Sequence, residues 1–333
     1  MDFCAFVQRV LPPPGEGMTG CEFLAQQLLT GVANGMLIAL IAIGYTLVYG
    51  ILEMINFAHG DVYMLGTFAA LTAIQLIGLR APRRGEVPSL ELYLALLGVL
   101  VAVMLFTAMV NVTIERLAYR PLRRAPRLAP LISAIGVSFI LMNLGLFWKG
   151  AAPVNFPSFI PRIDILNDWL KLGTTVYFST KDLFVIVVTL PLVVALQLFI
   201  RTTRIGTAMR ATAQDREAAQ LMGIDVNRTI ALAFLLGGAL AGAAGLISGL
   251  YNNTAVFTMG FRAGLNAFTA AVLGGIGNIT GAMLGGLFIG VIAALSDGYI
   301  GARWQPVVVF GLLVLVLIFR PSGLLGQETG QRA

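Results

Sequence analysis

The chain has 333 residues, of which 58% are hydrophobic and 11% charged, with a formal net charge of +6. A soluble domain carries roughly 25% charged residues, so a water-soluble globular class is excluded, and the lack of strand-period alternation argues against a β-barrel. What remains is an all-α polytopic membrane protein, whose basic excess belongs to loops at anionic headgroups and not to nucleic acid.

Residues 1–23 form an N-terminal extension of unclear role, with a Pro12-Pro13-Pro14 run and no basic n-region ahead of a long apolar h-region. That is no cleaved signal peptide, so the first span is expected to target the chain. Cys4 and Cys21 lie far apart without a CxxC and read as incidental thiols. Eight apolar stretches follow, at 27–49, 61–79, 92–114, 129–148, 182–200, 229–251, 278–296 and 304–319. Each approaches the ~20 residues that a bilayer-crossing helix needs. The prediction is about 8 transmembrane helices plus short broken or re-entrant segments, in one transmembrane unit over 24–326, with 327–333 as a tail. The apolar piece 263–276 is too short to cross a ~30 Å core as a helix; whether it spans or dips in and returns stays open, and a return is tolerated where irregular backbone is buried in protein or lines a cavity. Glycine pairs at small-xxx-small spacing, Gly31/Gly35, Gly238/Gly242, Gly281/Gly285 and Gly286/Gly290, suit close helix packing in lipid.

Arginine placement orients the chain. Loop 116–128 holds five arginines and no acid, and loop 201–228 holds five arginines and three acids. Two spans separate them, so both fall on one side, the cytoplasmic side by the positive-inside rule. Arg80, Arg83 and Arg84 then lie outside, against the rule, and the tail is expected inside.

Loop 201–228 is the largest internal charge cluster. Its segment 208–223 reads as a short helix ending at Gly223, a residue suited to a positive-φ cap. Ala211, Ala218, Ala219 and Met222 are expected near one face, with Arg216, Glu217 and Gln220 around the rest. A small-faced helix of this kind suits a groove on another protein, and an ordinary solvated loop is the competing reading. The second anomaly is Ile55-Asn56-Phe57-Ala58-His59-Gly60-Asp61, which with Glu53 puts three ionisable groups in nine residues between apolar runs. Asn266 and Leu273-Gly274-Gly275-Ile276-Gly277-Asn278 form a comparable break in the second half. Broken helices paired across two halves mark transport pathways, so Asn56, His59, Asp61, Asn266, Gly274 and Gly275 are the pathway candidates. His59 and Asp61 are expected on the protein side of their helix, away from acyl chains. Lys149, Lys171 and Lys181 all lack a preceding glycine and there is one histidine, so neither a Walker A loop nor a His-rich metal site nor a spare catalytic base is expected.

Several blocks carry a resemblance. NGMLIALIAIGYTLVYGILEMINFAHGDVYMLG, ERLAYRPLRR, LISAIG, REAAQLMGID, NAFTAAVLGGIGNITGAMLGG and FRPSGLLG, spread from about residue 24 to residue 326, closely resemble the LivH-type permeases of branched-chain amino acid ABC importers. The resemblance implies a non-catalytic subunit in a bacterial inner membrane, beside a second, LivM-like permease subunit, two cytoplasmic LivG/LivF-like ATPases that hold ATP and Mg, and a periplasmic amino-acid-binding protein. It also implies that Arg210, Arg216, Glu217, Ala218, Ala219, Met222 and Gly223 belong to a coupling helix docked on an ATPase. No cofactor is expected on this chain itself. Permeases for urea and short amides share these blocks. An ion-coupled transporter using Glu53, His59 and Asp61 as a proton relay is the reading from another class.

Overall fold

The computed structural model describes residues 12–13, 17–52, 54, 56–82, 88–123, 125–126, 128–171, 173–320 and 322–326. Glu53, Arg83 and Arg84 lie outside this set. Eleven α-helices are defined among the described residues: α1 (Gly20–Leu52), α2 (His59–Ile77), α3 (Leu90–Ile114), α4 (Leu128–Lys149), α5 (Thr180–Thr202), α6 (Arg204–Gln214), α7 (Arg216–Leu221), α8 (Val226–Asn252), α9 (Met259–Gly274), α10 (Ile279–Ser296) and α11 (Gln305–Phe319). Seven apolar helical segments are long enough to cross a membrane, and α11 is a shorter apolar helix. Side-chain caps start most of them: Ser89 for α3, Ser179 with Asp182 in a reciprocal capping box for α5, Asp225 for α8 and Asn278 for α10.

In lipid, apolar side chains gain little by leaving an equally apolar solvent, so close backbone contact holds the bundle. The predicted glycine pairs do this. A Cβ on Gly35 would stand 2.8 Å from Leu287 Cα, and one on Gly31 2.6 Å from Val291 Cα, so α1 and α10 run antiparallel in backbone contact. Gly238 and Gly242 seat α8 against Asn111, Thr107 and Val103 of α3 in the same antiparallel way. The halves α1–α4 and α8–α11 thus repeat one arrangement: α1 packs on α10 as α8 packs on α3, while α2 runs beside α8 and α9 beside α1. The copies are inverted, since α1 runs toward the arginine-rich loops and α8 runs away from them.

One end of the bundle collects those loops. Arg123, after α3, donates to Asn227 Oδ1 at the start of α8 (2.6 Å), which joins loop 116–128 directly to loop 201–228. The same end holds the end of α1, because Gly50 faces Gly277 in the α9–α10 turn. Leu324 and Leu325 donate from the backbone to Leu273 and Gly274, so residues 324–326 lie at that end too, and the tail 327–333 lies outside the described residues. The opposite end holds Lys149 on Gln75, and Lys181 on Tyr251 O and Asn253. A two-residue antiparallel pairing, β1 (Val154–Asn155) with β2 (Thr254–Ala255), lies at that end.

Residues 263–276, which the sequence leaves open between a span and a re-entrant piece, follow the strand β2 and a turn at 256–258, and α9 carries the chain from there to the arginine-rich end. One expectation changes. Cys21 is disulfide-bonded and no incidental thiol; it lies near the start of α1, at the end remote from the arginine loops.

Gly238→Ala should lower stability by about 1–3 kcal/mol through overpacking, since its Cβ would lie 2.6 Å from both Asn111 Cβ and Thr107 O. Gly98→Ala, with nothing within 4 Å, should leave it unchanged or slightly raised. Unfolding in detergent, followed by thermal melts of both variants, tests the contrast.

Candidate functional site: a broken loop helix and a buried turn

Loop 201–228 folds as two helices in place of the single helix predicted over 208–223. Thr203 caps α6 by accepting from Gly206 N–H (3.0 Å). Asp215 then stops it in extended conformation (φ −156°), and its Oδ1 accepts from the N–H groups of Glu217 (2.9 Å) and Ala218 (3.0 Å) to start α7. A mid-helix aspartate offers the backbone this alternative to the helical ladder. Gly223 ends α7 at φ +84°, with Gly223 N–H on Gln220 O and Ile224 N–H on Ala219 O. That is a Schellman cap, where the sequence placed it.

The faces also differ from expectation. Ala219 is buried with Met209 and Thr212, whereas Ala218 is exposed and Leu221 and Met222 are 88% and 83% exposed. At about 100° per residue, Ala218 and Ala219 cannot share a face. Glu217 is exposed beside them. Arg216 turns inward: its Nε and Nη2 both donate to Ile51 O in the last turn of α1, at 2.9 and 2.6 Å. Arg210 donates to Ile200 O near the end of α5. A cleft of about 310 Å³ opens at the α6–α7 break, between Ile51, Thr212, Asp215, Arg216 and Glu217. Nearby, Glu115 pairs with Arg123. Burial pulls the Arg123 guanidinium below its usual pKa, Glu115 opposes this, and the charges of Arg120 and Arg216 add to it.

The buried turn lies past the end of α1. His59 and Asp61 are 0% and 1% exposed, on the protein side as predicted. Asn56 accepts from the Tyr119 hydroxyl at 2.9 Å. The His59 ring stands 4.9 Å from Tyr45, edge to face, and fills the space a side chain at Gly44 would take. Ser138 of α4 donates to Asp61 Oδ2, while Asp61 Oδ1 and both His59 nitrogens have no partner among the described residues. His59 and Asp61 therefore form no hydrogen-bonded relay, and Glu53 lies outside the described residues.

The partner of this turn in the second half is not 273–278, as the sequence reading had it, but 256–261. Phe57-Ala58-His59-Gly60 and Phe257-Thr258-Met259-Gly260 share F-x-x-G, and each opens a helix with the same bond: His59 N–H on Asn56 O and Met259 N–H on Val256 O, both 3.1 Å. The two starts touch. A Cβ on Gly260 would lie 2.6 Å from Asp61 Oδ1 and 2.8 Å from Gly60 O. Asn266 lies partly buried on α9, two residues after Gly264, which stands against Gly60. Gly274 and Gly275 sit at the arginine-rich end, Gly274 against Gly281 and Gly275 against Leu325 and Gly326.

The family model for the branched-chain amino acid transport system permease component matches residues 27–317. The chain belongs to this family. It is 44% identical to the high-affinity branched-chain amino acid transport system permease protein BraD of Pseudomonas aeruginosa, over 91% of this chain and 95% of that one. It is 41% identical to the LivH proteins of Salmonella typhimurium and Escherichia coli K12, over 92% of this chain and 96% of each. The chain is thus a multi-pass membrane protein and a permease component, in a transport system and not an enzyme. The sequence reading missed Tyr119 and Gly260. An aromatic residue inside an arginine-rich loop signals the first, and the F-x-x-G repeat signals the second.

Tyr119→Phe removes the partner of a buried amide, so it should cost about 1–3 kcal/mol. Differential scanning fluorimetry of the purified permease reads this, with Tyr93→Phe on the exposed face of α3 as the neutral comparison.

Proposed function

We propose that the chain is the membrane subunit of an ATP-binding-cassette importer that moves branched-chain or other small hydrophobic amino acids across a bacterial inner membrane. The observation that carries the reading is α7: a capped, six-residue helix that leaves Leu221 and Met222 uncovered at the arginine-rich end. By the positive-inside rule that end faces the cytoplasm, where an ATPase is available. Large exposed apolar side chains grouped next to a rigid cap suit a protein–protein contact surface. ATP and Mg are assigned to two partner ATPases. A second permease subunit and a periplasmic amino-acid-binding protein complete the assembly, with the binding protein at the end formed by 149–181.

In this reading ATP-driven closure of the ATPases pushes α6 and α7, and the spans rock to alternate access. The turn at Asn56, His59 and Asp61, with its counterpart at Gly260, lies where two helices start inside the bundle. Such starts accompany substrate paths in membrane transporters. Glycine at 60 and 260 lets the two starts slide without side chains in the way.

Leu221→Asp and Met222→Asp should each weaken capture of the ATPase by at least about tenfold, the scale of a central interface residue, without lowering the melting temperature of the permease alone. Co-purification with the neighbouring ATPase reads the first, and uptake of labelled leucine against labelled urea in proteoliposomes reads the cargo. Full ATPase retention in both variants would sink the docking assignment, and urea uptake in place of leucine would sink the cargo.

A further inference from the structure

The last carbonyls of a helix have no partner within it. At the end of α1 one of them, Ile51 O, receives two donors from a single guanidinium, Arg216 Nε at 2.9 Å and Nη2 at 2.6 Å. Arg216 is the first residue of α7, next to the aspartate that fixes where α7 begins. The side chain therefore moves with the loop helix, and its donors hold the membrane helix. Hydrogen bonds with a charged donor are roughly twice as strong as neutral ones.

What α1 reaches makes the bond more than a cap. The helix is packed along its length on α8, α9 and α10, and 83% of its apolar window is buried. It ends at Leu52, and Asn56 begins the buried turn only four residues later. Gly50, one residue before Ile51, stands against Gly277, so the end of α1 also touches the α9–α10 turn. A displacement of α7 relative to the bundle must either break the Arg216–Ile51 bond or carry the end of α1, and with it the turn at which α2 starts beside α9.

Resting on the importer reading above, we propose that Arg216 is the transmission residue of this permease: it takes no part in holding the ATPase but delivers the motion of α7 to α1 and the Asn56–Asp61 turn. Arg210, which holds Ile200 of α5, marks the second span gripped by the same loop. Arg216 is thus a positioning residue acting through Ile51.

Two measurements test this. In the complete importer reconstituted with its ATPases and binding protein, Arg216→Ala should keep the ATPases in the purified complex while the ATP hydrolysed per leucine taken up rises about tenfold, within the usual range of coupling between sites. Arg216→Lys, which supplies one point-charge donor where the fork supplied two, should fall between. An unchanged ratio in Arg216→Ala overturns the proposal, and so does loss of the ATPases from the complex, which would make Arg216 a docking residue. In the permease alone, in nanodiscs, Arg216→Ala should speed amide exchange across 51–58 about tenfold relative to 104–112, the scale of a lost charge-assisted hydrogen bond. This second readout needs neither cargo nor ATPase. Unaltered exchange there overturns the proposal even if the chain proves to serve another transport system, whereas failure of the wild-type complex to import leucine would count against the importer reading alone.

Discussion

The constraint on which the structure depends is that backbone interrupted inside a bilayer must be satisfied by protein. Lipid offers no hydrogen bonds, so an irregular segment survives only when surrounded by other helices. Residues 56–58 and 256–258 are two such segments, and the bundle is arranged around them. α1 and α8 deliver them, and α2 and α9 leave from them side by side, with Gly60 against Gly260 and Gly264. Tyr119 reaches in from the end of α3 to hold Asn56, and Ser138 reaches in from α4 to hold Asp61. The first half thus holds its own interruption by side chains, and meets that of the second half where Gly60 and Asp61 stand against Gly260.

This explains the composition as well as the fold. A membrane bundle held by hydrophobic burial alone would have no reason to prefer glycine over leucine between helices. One that must bring backbones together around two breaks needs residues without side chains at the crossings, such as Gly60 against Gly264, whose Cα a Cβ at position 60 would meet at 2.8 Å. The same glycines lack the bulky interlocking that would fix one arrangement. Packing of this kind permits two helix starts to shift past each other, which an alternating transporter requires.

Much of this was legible in the residues. Apolar runs gave the spans, arginine parity gave the common side of loops 116–128 and 201–228, and the Arg123–Asn227 bond joins them in space. Gly223 was readable as a positive-φ cap because only local backbone geometry is involved. The rest failed where tertiary contacts decide. Hydropathy sees apolar length, so it left open whether 263–276 spans; it cannot see that strand residues 254–255 and a turn at 256–258 lead the chain into α9. The sequence put Ala218 and Ala219 on one face, but adjacent residues stand about 100° apart on any helix, and the packing of α7 buries Ala219 while leaving Ala218 exposed. The pairing of the buried turn with 273–278 followed a glycine-rich composition, while the true counterpart repeats F-x-x-G at a spacing of 200 residues.

The arginines of loop 201–228 show why charge counts alone mislead about contact. Read as a surface cluster, they are the natural hooks for a partner. In the fold, Arg210 and Arg216 turn back and cap membrane helices, so the outward surface of α7 presents Leu221 and Met222 at its end, beside the exposed Glu217 and Gln220. The division is physically sensible. An exposed ion pair with a partner is screened and contributes little, whereas a guanidinium on a helix-end carbonyl satisfies a group that has no other partner. Charge therefore links loop to membrane, and apolar surface is available to link loop to partner. A loop built that way can be pushed from outside through Leu221 and Met222 while its grip on α1 and α5 stays closed.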